Sequence, residues 1–205
     1  MSLQEIGEFS GEFTLDDAMR LWEGTISAND DPDLSIKSNE PAEKLSRPEV
    51  IIRQRKLAED GGDSATDADF KLNKTLGQGG MGVVFSARQT SMDRQIAIKV
   101  IRPEIAGNDN TRAKFLREAM VTGELEHPNI VPIYDLGALE DNNLFYAMKE
   151  VGGACWKELL GEKSQEENLE ILMKVCDAVA FAHDRGVIHR DLKPENVMVG
   201  DFGEV

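Results

Sequence analysis

The sequence predicts an α+β fold: a run of short β-strands interrupted by one helix, then a long helix and a polar loop. Three observations lead there. From Phe70 onward, short clusters of β-branched and apolar residues recur at strand length. Two longer stretches, Asn110–Leu125 and Asn168–His183, carry apolar residues at helical spacing instead. The strands and the second helix are segregated along the chain rather than alternating, which separates this layout from a parallel α/β sheet.

Residues 1–69 differ from the rest. The 205-residue chain has 40% hydrophobic and 30% charged residues and a formal net charge of -15. Residues 1–69 hold 17 Asp and Glu against 7 Lys and Arg, so about two thirds of that net charge lies in the first third of the chain. The expectation is an acidic, largely disordered extension over 1–69. Within it, Phe13–Ile26 has helical character, with Leu15, Met19 and Trp22 on one face, and reads either as a short docking helix or as a transient one. Glu49–Glu59 reads as a further helical turn or two, and Gly61–Ser64 as a linker. An acidic chain is repelled by phosphate backbones, which argues against nonspecific nucleic-acid binding.

The remaining elements follow in order. Phe70–Thr75 is a strand entering a glycine cluster, and Val83–Arg88 and Gln95–Ile101 are two more. Asn110–Leu125 is a helix with Phe115, Met120 and Leu125 available for burial. Ile130–Tyr134 and Leu144–Met148 are short strands. Asn168–His183 is a long amphipathic helix with Leu169, Leu172, Val175, Cys176, Val179 and Ala180 as its apolar stripe. Val187-Ile188 and Val197–Val199 are short apolar pieces around a polar loop.

Cys155 and Cys176 have no metal-ligand spacing and read as reduced thiols. Met1–Ser10 lacks the basic and apolar regions of a signal peptide, and no run reaches the ~18 apolar residues of a membrane span. The expected location is cytoplasmic, with an anchor beyond Val205 left open.

Three segments carry chemistry. Leu76-Gly77-Gln78-Gly79-Gly80-Met81-Gly82-Val83-Val84 contains G-x-G-x-x-G. That pattern also marks dinucleotide-binding folds, where a helix must follow so that its N-terminus faces the pyrophosphate. Here Val83-Val84-Phe85 favours a strand, so the loop reads as a hairpin tip over phosphates. Seventeen positions after Gly82 comes Ala97-Ile98-Lys99. Strand alternation puts Ala97 and Lys99 on one face, and a lysine among apolar residues calls for a counter-charge. Glu118 in the following helix is the first candidate, with Glu124 and Glu126 as rivals. The third segment is His189-Arg190-Asp191-Leu192-Lys193-Pro194-Glu195-Asn196, which matches H-R-D-L-x-x-x-N.

Taken in order and at this spacing, the three segments resemble the eukaryotic-type serine/threonine protein kinase family, and bacterial members in particular. The resemblance implies a kinase N-terminal lobe over 70–151, an antiparallel sheet plus one helix. It implies the start of a helical C-terminal lobe over 152–205. It also implies ATP and Mg²⁺ as cofactors, transfer of the γ-phosphoryl group to protein Ser/Thr hydroxyls, and protein substrates as partners. Asp191 would accept the hydroxyl proton, Lys193 would steady the γ-phosphate, and Asn196 would bind Mg²⁺. Lys99 would hold the α/β-phosphates and pair with Glu118. Leu76, Gly77, Gln78, Gly79, Gly80, Met81 and Gly82 would cover the nucleotide. Val84 and Ala97 would lie above the adenine and Met198 below it, with Met148 as gatekeeper and Val151 in the hinge. His189 reads as a packed structural residue.

Asp201-Phe202-Gly203 looks like the family's metal-binding D-F-G, but it follows Asn196 by five positions, against about thirteen in the family. It reads instead as a hairpin turn, which puts the metal-binding Asp near position 209 and makes the chain a fragment, inactive alone; the alternative is a compressed loop in which Asp201 still reaches the metal. A non-catalytic, nucleotide-binding scaffold is the alternative function.

Overall fold

In a computed structural model, residues 52–59, 67–139 and 141–205 are described. Phe13–Ile26 and Gly61–Ser64 lie outside them. The described elements are strands β1 (Arg53–Gln54), β2 (Leu57–Glu59), β3 (Phe70–Gln78), β4 (Gly82–Gln89) and β5 (Arg94–Ile101), then helices α1 (Pro103–Ala106) and α2 (Asp109–Gly123). Strands β6 (Ile133–Ala138), β7 (Leu144–Met148) and β8 (Ala154–Cys155) follow, then helices α3 (Trp156–Leu159) and α4 (Gln165–Asp184) and strand β9 (Met198–Val199).

Seven strands form one sheet in the order β1-β6-β7-β5-β4-β3-β2, and β8 pairs with β9 in a second. The five central strands run antiparallel, with short connections joining β3 to β4, β4 to β5 and β6 to β7. The two outer pairings, β1 with β6 and β2 with β3, are parallel. Only Arg55 and Lys56 separate β1 from β2, so one short segment lines both outer strands. The linking residues join in, with the Arg55 N–H bonding the Ala138 carbonyl at 2.8 Å and the Lys56 carbonyl accepting from Asp69 N–H at 2.9 Å. Arg55 also pairs with Asp135 at 2.9 Å. The described part of Glu49–Glu59 is thus extended, where helical turns were expected. Its sequence has no strong period of its own, and pairing with β3 and β6 decides its conformation.

The two faces of the sheet have different work. One carries Phe70, Ala87, Ile96, Ile98, Phe145 and Ala147, the buried core, with Leu57 and Leu72 packed against it. In antiparallel strands, paired residues share a face, and so do residues two apart. Lys99 pairs with Val84 and Tyr146, and Ala97 pairs with Ser86 and Met148. Val84, Ala97, Lys99, Tyr146 and Met148 therefore share the other face.

Helix α2 starts on Asn108, whose side chain accepts from Thr111 N–H, and it buries Ala113, Phe115, Leu116 and Ala119. Helix α4 starts on a capping box made by Ser164 and Glu167. Its buried residues are Ile171, Val175 and Ala182, and the first two cluster with Val197 and Val199. Of the expected stripe only Val175 is fully buried, while Leu169 and Leu172 are 51% and 43% exposed. The covered face is rotated roughly a quarter turn from the predicted one, because β9 meets the helix on that side. Val187-Ile188 forms no strand, and Ile130–Tyr134 becomes one only from Ile133. Among the described residues, no helix is long and apolar enough to cross a membrane. Cys155 and Cys176 are free thiols.

Candidate active site

The glycine segment is a hairpin. Gln78 pairs with Val83 and Gly77 with Val84, and Gly79 N–H bonds the Gly82 carbonyl at 2.9 Å. A strand, not a helix, follows Gly82, so the dinucleotide alternative loses its anion-binding helix. A Cβ at Gly77 or Gly80 would meet nothing within 4 Å, and one at Gly79 would meet only the Gly82 carbonyl at 3.9 Å. These positions leave the main chain open to close approach by a phosphate, although the Gly79 N–H is already given to the Gly82 carbonyl. Gly82 is different: it is buried, and a Cβ there would lie 2.7 Å from the Val100 carbonyl and 3.2 Å from Lys99 Cγ. Leu76 is 44% exposed and Gln78 exposed. Met81 is half-buried, and its carbonyl accepts from Arg102 N–H at 3.2 Å.

Lys99 reaches Glu118 of α2, with 2.6 Å between Nζ and Oε1. Glu124 and Glu126 are exposed. The Lys99 side chain is 16% exposed and that of Glu118 is 35% exposed, so the pair is shielded but open on one side. The Tyr146 hydroxyl donates to the same Glu118 oxygen, also at 2.6 Å. Burial first, and then the Glu118 charge, push the Tyr146 phenol far above its ordinary pKa. Sequence reasoning missed Tyr146. The available signal was its place two residues before Met148, which alternation puts on the same face of β7.

Met148 ends β7, and Lys149 N–H bonds the Pro132 carbonyl at 3.1 Å. Glu150 accepts from Gln95 Nε2 at 2.9 Å, a tie from β5 to the segment leading into Val151 that the sequence did not suggest. Val151 is half-buried, as is Met198, which sits on β9 opposite Cys155.

The loop from His189 is built around Asp191. Arg190 has φ +64, an uncommon value for a residue with a Cβ, and Asp191 N–H bonds His189 Nδ1 at 3.3 Å. Lys193 Nζ lies 2.9 Å from Asp191 Oδ2. A single 3-10 turn over Pro194–Asn196 brings the Asn196 amide back onto Asp191. The Lys193 hydrogen bond first, and then that of Asn196, hold the Asp191 carboxyl below its usual pKa. The loop is pinned from behind by Trp156 N–H to the Val197 carbonyl at 2.8 Å and by Lys157 to Glu195 at 2.7 Å.

Asp201-Phe202-Gly203 is a tight turn following β9. Gly203 N–H bonds the Gly200 carbonyl at 3.0 Å, and Gly200 N–H bonds the Glu204 carbonyl at 2.8 Å. Gly203 has φ +80, the left-handed bulge that such a turn needs, and Phe202 is 96% exposed.

Residues 70–205 match the family described as protein kinase domain. The chain is 39% identical over 151 residues to serine/threonine-protein kinase PknD of Protochlamydia amoebophila, covering 66% of this chain and 15% of that protein. It is 41% identical over 133 residues to serine/threonine-protein kinase pkn3 of Myxococcus xanthus, covering 63% of this chain and 24% of that one. The chain thus spans less than a quarter of the length of these curated relatives. Among solved structures, the Mycobacterium tuberculosis PknI kinase domain matches with a TM-score of 0.57 at 30% identity, over 67% of this chain and 56% of that one. With the hairpin, the lysine pair and the aspartate loop in place, the chain belongs to the protein kinase family.

Proposed function

We propose that this chain supplies the nucleotide-binding lobe and the phosphotransfer loop of a bacterial-type serine/threonine protein kinase. The single observation that carries the reading is the Lys99–Glu118 pair, at 2.6 Å, beside the glycine hairpin. Residues 70–151 form the nucleotide lobe and 152–205 the start of the second lobe, with 1–69 as an acidic extension. Protein Ser/Thr hydroxyls are the substrates, and the cytoplasm is the location.

The residues present fit ATP and Mg²⁺. The main chain of Gly77–Gly82 lines an open cradle, and Lys99 supplies a positive charge that Glu118 orients. Val84, Ala97 and Met148 give one apolar face suited to a purine, with Met198 on the opposing element and Val151 offering main-chain polar groups. Leu76, Gln78 and Met81 border the cradle. Asn196 commits Nδ2 to Asp191, which leaves its amide oxygen, a hard ligand of the kind Mg²⁺ takes. When bound, the ion offsets the charge that builds on the transferring phosphoryl group. Asp191, kept ionised by Lys193, accepts the proton of the attacking hydroxyl. Lys193 can then turn from Asp191 to the γ-phosphate.

The test is phosphotransfer from labelled ATP to a Ser/Thr-containing protein by the full gene product. Lys99→Met and Asp191→Asn should each lower the rate by roughly 10²-fold or more, as loss of a preorganised charged group does. ATP binding with no transfer in the unsubstituted protein would favour the scaffold reading. Normal activity in both variants would overturn the site.

A further inference from the structure

We propose that Tyr146 is a positioning residue of the nucleotide site. Its hydroxyl holds the Glu118 carboxylate, and with it helix α2, where Glu118 can grip Lys99. This rests on the reading of Lys99 as the phosphate-binding lysine.

The register sets up the contact. Lys99 and Tyr146 are direct partners across β5 and β7, so both side chains leave the sheet on one face and side by side. Glu118 comes to them from α2. One oxygen, Oε1, accepts from both, at 2.6 Å from Lys99 Nζ and 2.6 Å from the Tyr146 hydroxyl. The two donors are not equivalent. Lys99 sits on a flexible stem and has phosphate oxygens as a second destination. Tyr146 has none: it is 4% exposed, and its ring lies 5.1 Å from that of Phe115, also on α2.

A buried phenol hydroxyl without a partner is costly, so Tyr146 favours the arrangement in which α2 is docked. If α2 swung out, the phenol would lose Glu118 and its ring would lose Phe115 together. When Lys99 moves towards phosphate, Tyr146 keeps the carboxylate from following or turning away. Its proton is secure for this role, because burial and the neighbouring charge hold the phenol far above neutral pH. Lys99 Nζ also lies 5.5 Å from the Tyr146 ring centroid and 5.9 Å from that of Phe115, so the amine moves within an aromatic corner.

Tyr146→Phe in the full gene product tests this, because it removes one oxygen and leaves the ring packed. The expected result is a rise of about tenfold in the KM for ATP, the scale of a lost hydrogen bond to a charged group, with the KM for the protein substrate unchanged. Tyr146→Phe should add no further loss in a Glu118→Ala background, because the hydroxyl acts through that side chain. Wild-type kinetics in Tyr146→Phe would overturn the proposal, and so would an undiminished effect in the Glu118→Ala background. Lys99→Met separates the two levels. Normal ATP kinetics there would sink the nucleotide-site reading itself, whereas a defect there beside a wild-type Tyr146→Phe would sink only the role of Tyr146.

Discussion

Asn196 donates its side-chain amide to Asp191 twice, at 2.6 Å to the main-chain carbonyl and at 3.1 Å to Oδ2. The group proposed to accept a proton and the group proposed to hold a cation are therefore fixed to each other, with one 3-10 turn between them. Lys193 closes the arrangement at 2.9 Å from the same Asp191 oxygen.

The pH dependence of phosphotransfer should report Lys193. Its hydrogen bond is the largest cause of the lowered Asp191 pKa. The basic form of Asp191 is present above that pKa and is lost as pH falls through it, so the acid limb of kcat/KM should lie below the ordinary carboxylate range. Lys193→Met removes the main cause. Its acid limb should move to higher pH, in addition to any fall in kcat. A profile with an unmoved limb would show that Lys193 does not set the ionisation of the base.

Glycine substitutions in the hairpin should split into two classes. A Cβ at Gly82 would meet the Val100 carbonyl at 2.7 Å, and main chain cannot rotate aside. Gly82→Ala should cost about 1–3 kcal/mol of stability, as overpacking does. Gly80→Ala meets nothing within 4 Å and should stay within about 0.5 kcal/mol of wild type. Urea unfolding of the two variants measures both. Equal losses would mean that the β4–β5 contact does not set the requirement for Gly82.

A magnesium titration should separate the two candidate oxygen ligands. Asp201 belongs to an exposed turn, so Asp201→Asn should leave the Mg²⁺ requirement of phosphotransfer unchanged. Asn196→Ala should raise it by about tenfold or more, since even residues behind metal ligands have effects of that size. A matching rise in Asp201→Asn would show that the turn reading of Asp201 is wrong.

Much of this site was legible because its signals are local. Glycine spacing followed by β-branched residues distinguishes a strand–loop–strand from a strand–loop–helix, and alternation puts Ala97 with Lys99. Glu118 was preferred over Glu124 and Glu126 from its place within the helix, and the structure pairs it with Lys99. Counting five positions from Asn196 to Asp201 was enough to read a turn, because a short strand and its reversal fill that length. What escaped depends on long-range partners. Tyr146 acquires meaning only when register sets it beside Lys99. Leu169 and Leu172 were as good apolar candidates as Ile171, and helical periodicity cannot say which of two adjoining faces a distant strand will cover. Arg53–Glu59 has too few residues for any period to declare itself.

That short segment also bears on what the lobe can recruit. An open sheet advertises two vacant rims, each a template on which a foreign strand can be laid. Here Gly137-Ala138 on one rim and Phe70–Leu72 on the other are already taken, and by neighbouring residues of a single stretch. Along those stretches a visiting peptide would have to evict a resident one, Leu57 included, from the core it helps to seal. Residues 53–59 thus act as a built-in occupant of part of each rim and block strand exchange along those stretches.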